Sequence, residues 1–273
     1  ILFGTIGQVS IGRLFAAGFV PAFVLWVALA ATISITARLR GYEPERKTRP
    51  TVREMAVAFR GGIWALLFPV FLLLGLRMGV FTPSEIGAFA VVYAVLIGAL
   101  IYRKLRRASF LEALEGSLAD VGGVMFLIAL SAIFSYGIVL ERIPEVVSGW
   151  ILDLTDDLEG AMVLIALFVI AAGFFIDATV LIIMLTPIFL PVMRDLGADP
   201  VHFGMVFIVA ATIGNFTPPV GAAMYAVCSI LRCPIGEYSR ESVLLFLAVT
   251  LVTVLLIFVP DLVLLVPNLI FGR

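Results

Sequence analysis

Gly214-Asn215-Phe216-Thr217-Pro218-Pro219-Val220-Gly221 interrupts a segment, 201–231, that carries no formal charge. Two prolines and two glycines remove amide donors and helix propensity where a membrane-crossing helix needs both. The limb on either side is about 10 to 13 residues, roughly 15 to 20 Å of helix, which is short of the roughly 30 Å hydrocarbon core. The pattern predicts a re-entrant helical hairpin with an unwound tip at 217–221; a proline-kinked spanning helix is the alternative.

Outward from that tip the chain is apolar throughout. Its 273 residues are 62% hydrophobic and 14% charged, with a mean hydropathy of +1.17, a composition that belongs in lipid. Hydrophobicity gathers in the runs 14–37, 62–76, 86–102, 121–140, 161–193, 201–231 and 242 to about 271. Runs of about 20 such residues cross a bilayer as helices, and a signal peptide is too short to explain them. The fold class is therefore all-α, a polytopic transmembrane helical protein. Net charge is −1 and the bases lie in short blocks, so nothing points to nucleic acid.

Arg38, Arg40, Arg46, Lys47, Arg49 and Arg53 form one basic loop, and Arg103, Lys104, Arg106 and Arg107 another; both are expected on the cytoplasmic side. The loop 141–159 carries Asp153, Asp156 and Asp157 against Arg142 alone and is expected outside. Within it Ile143, Val146, Val147, Trp150, Ile151 and Leu154 have the spacing of an amphipathic surface helix. Counted from these anchors, 14–37 runs outside to inside, and 161–193 crosses once to end inside. The hairpin then enters from and returns to the cytoplasmic side.

Ser10-Ile11-Gly12-Arg13-Leu14 and Pro234-Ile235-Gly236-Glu237-Tyr238 are similar, each just ahead of a long apolar run. The two runs cross in opposite directions, as an inverted-topology repeat requires. On this reading residues 1–8 are the end of a truncated first hairpin and 9–119 form spanning helices with basic cytoplasmic loops. Residues 120–232 hold a transport core with a broken helix and the hairpin, and 233–273 a C-terminal spanning helix.

Asp177 is the one formal charge between Gly160 and Met193. An unpaired carboxylate at mid-bilayer costs about 2.5 to 3.5 kcal/mol, so such a residue is expected to face a cavity, a partner or an ion. Thr179 and Thr186 add hydroxyl oxygens, and Pro187 and Pro191 free carbonyls on the preceding turn. With the carbonyls of Gly214 and Asn215 and the Thr217 hydroxyl opposite, these oxygens suit Na⁺. The Na⁺ candidates are Asp177, Thr179, Gly214 and Thr217. An intramembrane aspartyl protease needs two opposed carboxylates, but Asp120 and Asp261 lie at span ends. One histidine, His202, leaves no triad chemistry, so an enzyme is not expected. His202 reads as an interfacial hydrogen-bonder rather than a proton relay beside the helix start Asp199-Pro200, Ser131 and Ser135 as one helix face that either lines a polar path or bonds its own preceding carbonyls, and Cys228 and Cys233 as apolar filler. Phe81-Thr82-Pro83-Ser84-Glu85 reads as a helix start.

The stretch Gly173-x-x-x-Asp177 … Thr186-Pro187-Ile188-x-x-Pro191 … Leu196-Gly197-x-Asp199-Pro200-Val201-His202-Phe203-Gly204 … Ile213-Gly214-x-x-Thr217-Pro218-Pro219-Val220-Gly221 resembles the large membrane subunit of tripartite ATP-independent periplasmic (TRAP) transporters. Ser10-Ile11-Gly12-x-Leu14-Phe15-x-Ala17-Gly18, Phe81-Thr82-Pro83-Ser84-Glu85, Tyr93 and Tyr102-Arg103 add to it, and the resemblance runs over essentially the whole chain. It implies a secondary transporter of the bacterial inner membrane, driven by a Na⁺ gradient and moving by an elevator mechanism. A periplasmic solute-binding protein would deliver a small organic acid such as a C4-dicarboxylate or sialic acid, and a small membrane subunit would brace the large one. Lipid surrounds the assembly, and no cofactor beyond the coupling ion is implied. Carried over by motif, Asp177 and Thr179 on a broken helix and Gly214, Asn215, Thr217, Pro218 and Gly221 at the tip are the ion and substrate candidates. Asn215 and Phe216 stand where members often have other residues. The alternative is an ion-coupled exchanger or channel with the same hairpin and no extracytoplasmic receptor.

Overall fold

The computed structural model describes all residues except 43–49, 156, 219–220 and 273. Arg46, Lys47 and Arg49 of the basic loop, Asp156 of the acidic loop and Pro219 and Val220 of the expected tip therefore lie outside the described residues, as do the side chains of Ser131 and Ser135.

Thirteen α-helices are described: α1 (Leu2–Ile6), α2 (Ile11–Ala17), α3 (Phe19–Leu39), α4 (Val52–Arg77), α5 (Pro83–Leu96), α6 (Arg107–Leu140), α7 (Ile143–Leu154), α8 (Leu158–Gly173), α9 (Ala178–Asp195), α10 (Pro200–Asn215), α11 (Ala222–Leu231), α12 (Ile235–Phe258) and α13 (Asp261–Phe271). A π-helical turn, Ile97–Ile101, extends α5. No strand occurs among the described residues. The stretches Ile11–Leu39, Val52–Gly75, Ala178–Asp195 and Ile235–Phe258 are long and apolar enough to cross a membrane. The chain is thus an all-α polytopic membrane protein. It divides into one unit of residues 1–39 and 125–273 and a second of residues 40–124.

In the smaller unit, the helix start expected at Thr82 is present as a capping box. The Thr82 amide donates to Glu85 Oε2 at 2.7 Å and the Glu85 amide to Thr82 Oγ1 at 3.4 Å, with Pro83 at the first helical position, where no amide is missed. Two tyrosines tie α5 and its π-helical extension to α4: the Tyr93 hydroxyl donates to the Trp64 carbonyl at 2.5 Å and the Tyr102 hydroxyl to Gly61 at 2.8 Å. Phe68 and Phe71 of α4 pack on the Tyr93 ring at centroid distances of 5.4 and 5.9 Å.

The larger unit is organised around α10, whose sequence is apolar all round and which is accordingly its most enclosed helix. It packs on α8 and α9 on one side and on α12 and α2 on others. Phe203 and Phe207 are fully buried there with Phe3 of α1, whose ring lies 6.3 and 5.9 Å from theirs. Aspartates start three successive helices. Asp157 accepts from the Gly160 amide at 2.9 Å, Asp177 from Thr179 at 2.8 Å, and Asp199 from Val201 and His202 at 2.7 and 3.1 Å. Each such cap contributes about 0.5 to 2 kcal/mol. The Thr155 hydroxyl and the Gly160 amide hold the Asp157 carboxyl below the usual carboxylate range. Helix α7 forms as its spacing predicts, but its apolar face closes on α8 and α9. Val147, Trp150, Ile151 and Leu154 wall a cavity of about 380 Å³ with Phe168 and Phe189.

The structure reassigns the hairpin. A continuous helix through 158–195 would separate residues 168 and 189 by about 31 Å along its axis. Instead the Phe168 and Phe189 rings meet edge to face at 5.7 Å. Helices α8 and α9 therefore fold back on each other around Phe174–Asp177, and the segment expected to cross once is the hairpin. The segment expected to be the hairpin is the kinked alternative, a helix broken after Asn215. Helix α12 runs antiparallel along α10, with Tyr238 near its start bonded to the Phe216 carbonyl at 3.1 Å and Leu256 near its end bonded to His202 at 2.7 Å. Had α11 returned to the level of Pro200, α12 would begin beside His202 and not beside Phe216. Asp157, Asp199 and the end of α12 thus share one face of the unit, and Phe216 and Tyr238 lie toward the other.

The same bond explains His202, which is 3% exposed. The Leu256 carbonyl would ordinarily accept from the amide four residues on, but that residue is Pro260. His202 Nε2–H donates in its place, the hydrogen-bonding role expected for this histidine. Helix α3 also runs opposite to α12: Arg13 Nη2 donates to Asn268 Oδ1 beyond the end of α12 at 2.9 Å, while Leu29 shares a cavity with Ser242 and Val249.

Two measurements check these assignments. Cysteines placed at 168 and 189 in the full-length protein are expected to cross-link readily in membranes, and failure to do so overturns the hairpin. His202→Ala leaves a buried carbonyl unpaired and is expected to lower stability by about 1 to 3 kcal/mol, read as a lower unfolding temperature in detergent.

Candidate functional site

Two interruptions meet in the larger unit, the turn 174–177 of the hairpin and the break 216–221 after α10. The hairpin turn begins as a tightened helix end, with the Phe174 amide donating to the Ala171 carbonyl at 3.3 Å and the Phe175 and Ile176 amides to Ala172 at 3.1 and 3.0 Å. Asp177 then restarts the helix as the cap of α9. Its side chain is exposed, so it stands at the surface of the hairpin tip and not within a packed helix. Thr179, whose amide Asp177 accepts, is half-buried.

The second interruption is closed by its own backbone. The Phe216 and Thr217 amides donate to the Ile213 and Gly214 carbonyls at 3.2 and 3.0 Å, and the Gly221 amide to Thr217 at 3.3 Å. The Thr217 hydroxyl donates to the Ile213 carbonyl at 2.8 Å, which leaves its oxygen lone pairs to accept. Gly221 is required by space: a Cβ there would lie 2.6 Å from the Asn215 carbonyl oxygen and 2.8 Å from that of Thr217. Asn215 and Pro218 are half-buried beside it. The two helices that restart differ in their first turns. Asp177 accepts one amide at the start of α9, whereas Gly221 gives α11 no side-chain cap.

Glycine brings the two interruptions together. A Cβ on Gly214 would lie 2.3 to 2.6 Å from the carbonyl carbon, Cα and oxygen of Gly173, and one on Gly173 would lie 3.0 Å from the Gly214 Cα. Helices α8 and α10 therefore touch backbone to backbone one residue before the hairpin turn and two before the break. Of the residues singled out in the sequence, Asp177 and Thr179 sit on the hairpin side and Gly214, Asn215, Thr217, Pro218 and Gly221 on the break side of this contact. Among the described residues no group of three His, Cys, Asp or Glu side chains gathers for a metal.

Tyr238 was not singled out by the sequence. Its hydroxyl holds the Phe216 carbonyl, and with Phe216, Ile213, Leu29, Ser242 and Phe246 it walls a cavity of about 250 Å³ beside the break. Its place in the motif that echoes Ser10–Leu14 was the available signal.

An apolar, all-helical chain with a helical hairpin set against a broken helix is a polytopic membrane protein. Over residues 1–262 it matches the family described as tripartite ATP-independent periplasmic transporter, DctM component, and it belongs to that family of inner-membrane permeases. It is 31% identical over 265 residues to the 2,3-diketo-L-gulonate TRAP transporter large permease protein of Escherichia coli K12, covering 97% of this chain and 62% of that protein. It is 30% identical over 274 residues to the sialic acid TRAP transporter large permease protein of Vibrio cholerae, covering 100% and 63%. The C4-dicarboxylate TRAP transporter large permease protein DctM of Pseudomonas aeruginosa is 29% identical over 268 residues, at 98% and 62%. The chain thus spans less than two thirds of the length of these relatives.

The glycine contact generates a graded prediction. Gly214→Ala forces its methyl into the Gly173 backbone and is expected to abolish folding of the core or transport by the full-length protein. Gly173→Ala, with its nearest backbone contact at 3.0 Å, is expected to do less harm. Equal yields and uptake for the two variants and the parent would show that the helices do not touch there.

Proposed function

We propose that this chain is part of a TRAP-type large permease that couples Na⁺ to the uptake of a small organic acid. A periplasmic solute-binding protein delivers the acid and a small membrane subunit braces the permease. The observation that carries the proposal is the contact of Gly173 with Gly214, which sets the hairpin tip against the break. Relatives are named for diketogulonate, C4-dicarboxylate and sialic acid, and all of these carry carboxylates.

The parts divide the work by charge. Asp177 and Thr179 on one side and the Gly214 carbonyl and Thr217 hydroxyl on the other are the oxygen ligands for Na⁺. Asn215, Pro218 and Gly221 shape the break, where the start of α11, without a side-chain cap, favours a carboxylate at the positive end of a helix. Bound together, cation and anion cancel much of each other's charge, so the loaded core crosses apolar surroundings at lower cost than either ion alone. Transport is then alternating access between two states that the pair stabilises jointly. Helices α8 and α9 act as a re-entrant hairpin, entering and leaving on the outer face, and the core around α10 moves as a unit in the manner of an elevator. The echo of residues 10–14 at 234–238, with α3 and α12 antiparallel, supports an inverted repeat.

Asp177→Asn separates structure from charge, because asparagine caps helices as well as aspartate does. In proteoliposomes holding the full-length permease, its small subunit and the binding protein, the variant is expected to insert normally and lose Na⁺-dependent uptake. Unchanged dependence on Na⁺ would remove Asp177 from the ion site.

A further inference from the structure

Helix α11 ends at Leu231, and Arg232 follows in the left-handed conformation with φ 54°. The amides of Arg232 and Cys233 both donate to the Cys228 carbonyl, the latter at 3.2 Å. A bond from the second residue beyond the helix end back to the third residue inside it marks the Schellman ending, which brings those two side chains into contact. Here they are Cys228 and Cys233. Both are free, Cys228 buried and Cys233 half-buried. Just beyond Cys233 helix α12 begins, and it carries Tyr238, the residue that holds the Phe216 carbonyl at the break.

We infer that Cys228 and Cys233 form a dithiol that closes to an intramolecular disulfide and thereby arrests the break next to it. The more accessible Cys233, as thiolate, attacks a disulfide oxidant of the glutathione class, forming a mixed disulfide and releasing one thiolate. Cys228, as thiolate, then attacks the Cys233 sulfur and releases the second. Two protein thiols lose two electrons and two protons, and one oxidant disulfide becomes two thiols. Arg232 and Arg240 flank the turn, and it lies toward the face opposite Asp157 and Asp199, so the positive-inside rule puts it in the cytoplasm. There the pair rests reduced and responds only when the glutathione pool turns oxidising. Closing the bridge ties the end of α11 to the lead-in of α12, on which Tyr238 depends, and so removes the freedom of α11 to shift with the break.

The effect on uptake rests on the transport function proposed above; formation of the bridge does not. The test uses the full-length permease with its small subunit, reconstituted and treated with oxidised glutathione. Mass spectrometry of the peptide holding both cysteines is expected to show the loss of two hydrogen atoms, reversed by dithiothreitol. Uptake is expected to fall several-fold and recover with reduction, while Cys233→Ser is expected to keep its uptake under oxidant. Cysteines that stay fully titratable overturn the dithiol. A bridge that forms without loss of uptake, or an equal loss in Cys233→Ser, overturns the control. Absence of uptake before any oxidant counts against the transport reading, and the peptide mass still decides the bridge.

Discussion

Within lipid a backbone amide or carbonyl without a partner costs several kcal/mol, and no water is present to supply one. Every place where a helix of this chain is interrupted must therefore be repaired by the chain itself. Asp177 supplies the acceptor where α9 restarts. His202 supplies the donor that Pro260 withholds from Leu256. Phe216, Thr217 and Gly221 turn their own amides back on Ile213, Gly214 and Thr217, and Tyr238 reaches across for the Phe216 carbonyl. Among the buried polar side chains described, His202 is placed by this requirement, while Thr186 and Thr253 bond carbonyls of their own helices.

The two interruptions are repaired differently. The start of α9 carries a capping carboxylate that accepts the Thr179 amide, while the start of α11 has glycine and no side-chain cap. The Thr217 hydroxyl gives its proton to a carbonyl and keeps its lone pairs. Under the function proposed above, cation and anion lie between the two interrupted helices, provided the interruptions touch. Two glycines make that contact. Any larger residue at Gly214 would hold α8 and α10 apart.

Much of this was legible in the sequence. The apolar runs define the all-α membrane fold, Thr82 to Glu85 announces its capping box, Ile143 to Leu154 announces an amphipathic helix, and Asp199-Pro200 announces a helix start. The identity of the hairpin was not legible. Prolines and glycines at 214–221 signal an interruption strongly, but they do not say whether the chain beyond it turns back. The turn that does fold back, Gly173-Phe174-Phe175-Ile176-Asp177, is apolar and proline-free, and its one signal is a capping aspartate read for its charge. What decides between the two is long-range packing, Phe168 against Phe189 and Tyr238 against Phe216, and no local propensity encodes it.

Charge could not have corrected the error. A single crossing followed by a hairpin, and a hairpin followed by a single crossing, deliver α12 to the membrane in the same direction. Arg232 and Arg240 then fall on the side of Arg38 and Arg40 under either assignment, and the positive-inside rule is satisfied twice over. The connection that changes sides is 196–199 with its flanks, where Arg194 stands against Asp195 and Asp199. Its one base is engaged, since Arg194 Nη2 donates to the Gly7 carbonyl at 2.9 Å, and its acids outnumber it. A short loop with so little cationic excess exerts no orienting pull, so the direction in which α8 and α9 fold is left to the helices that pack on them.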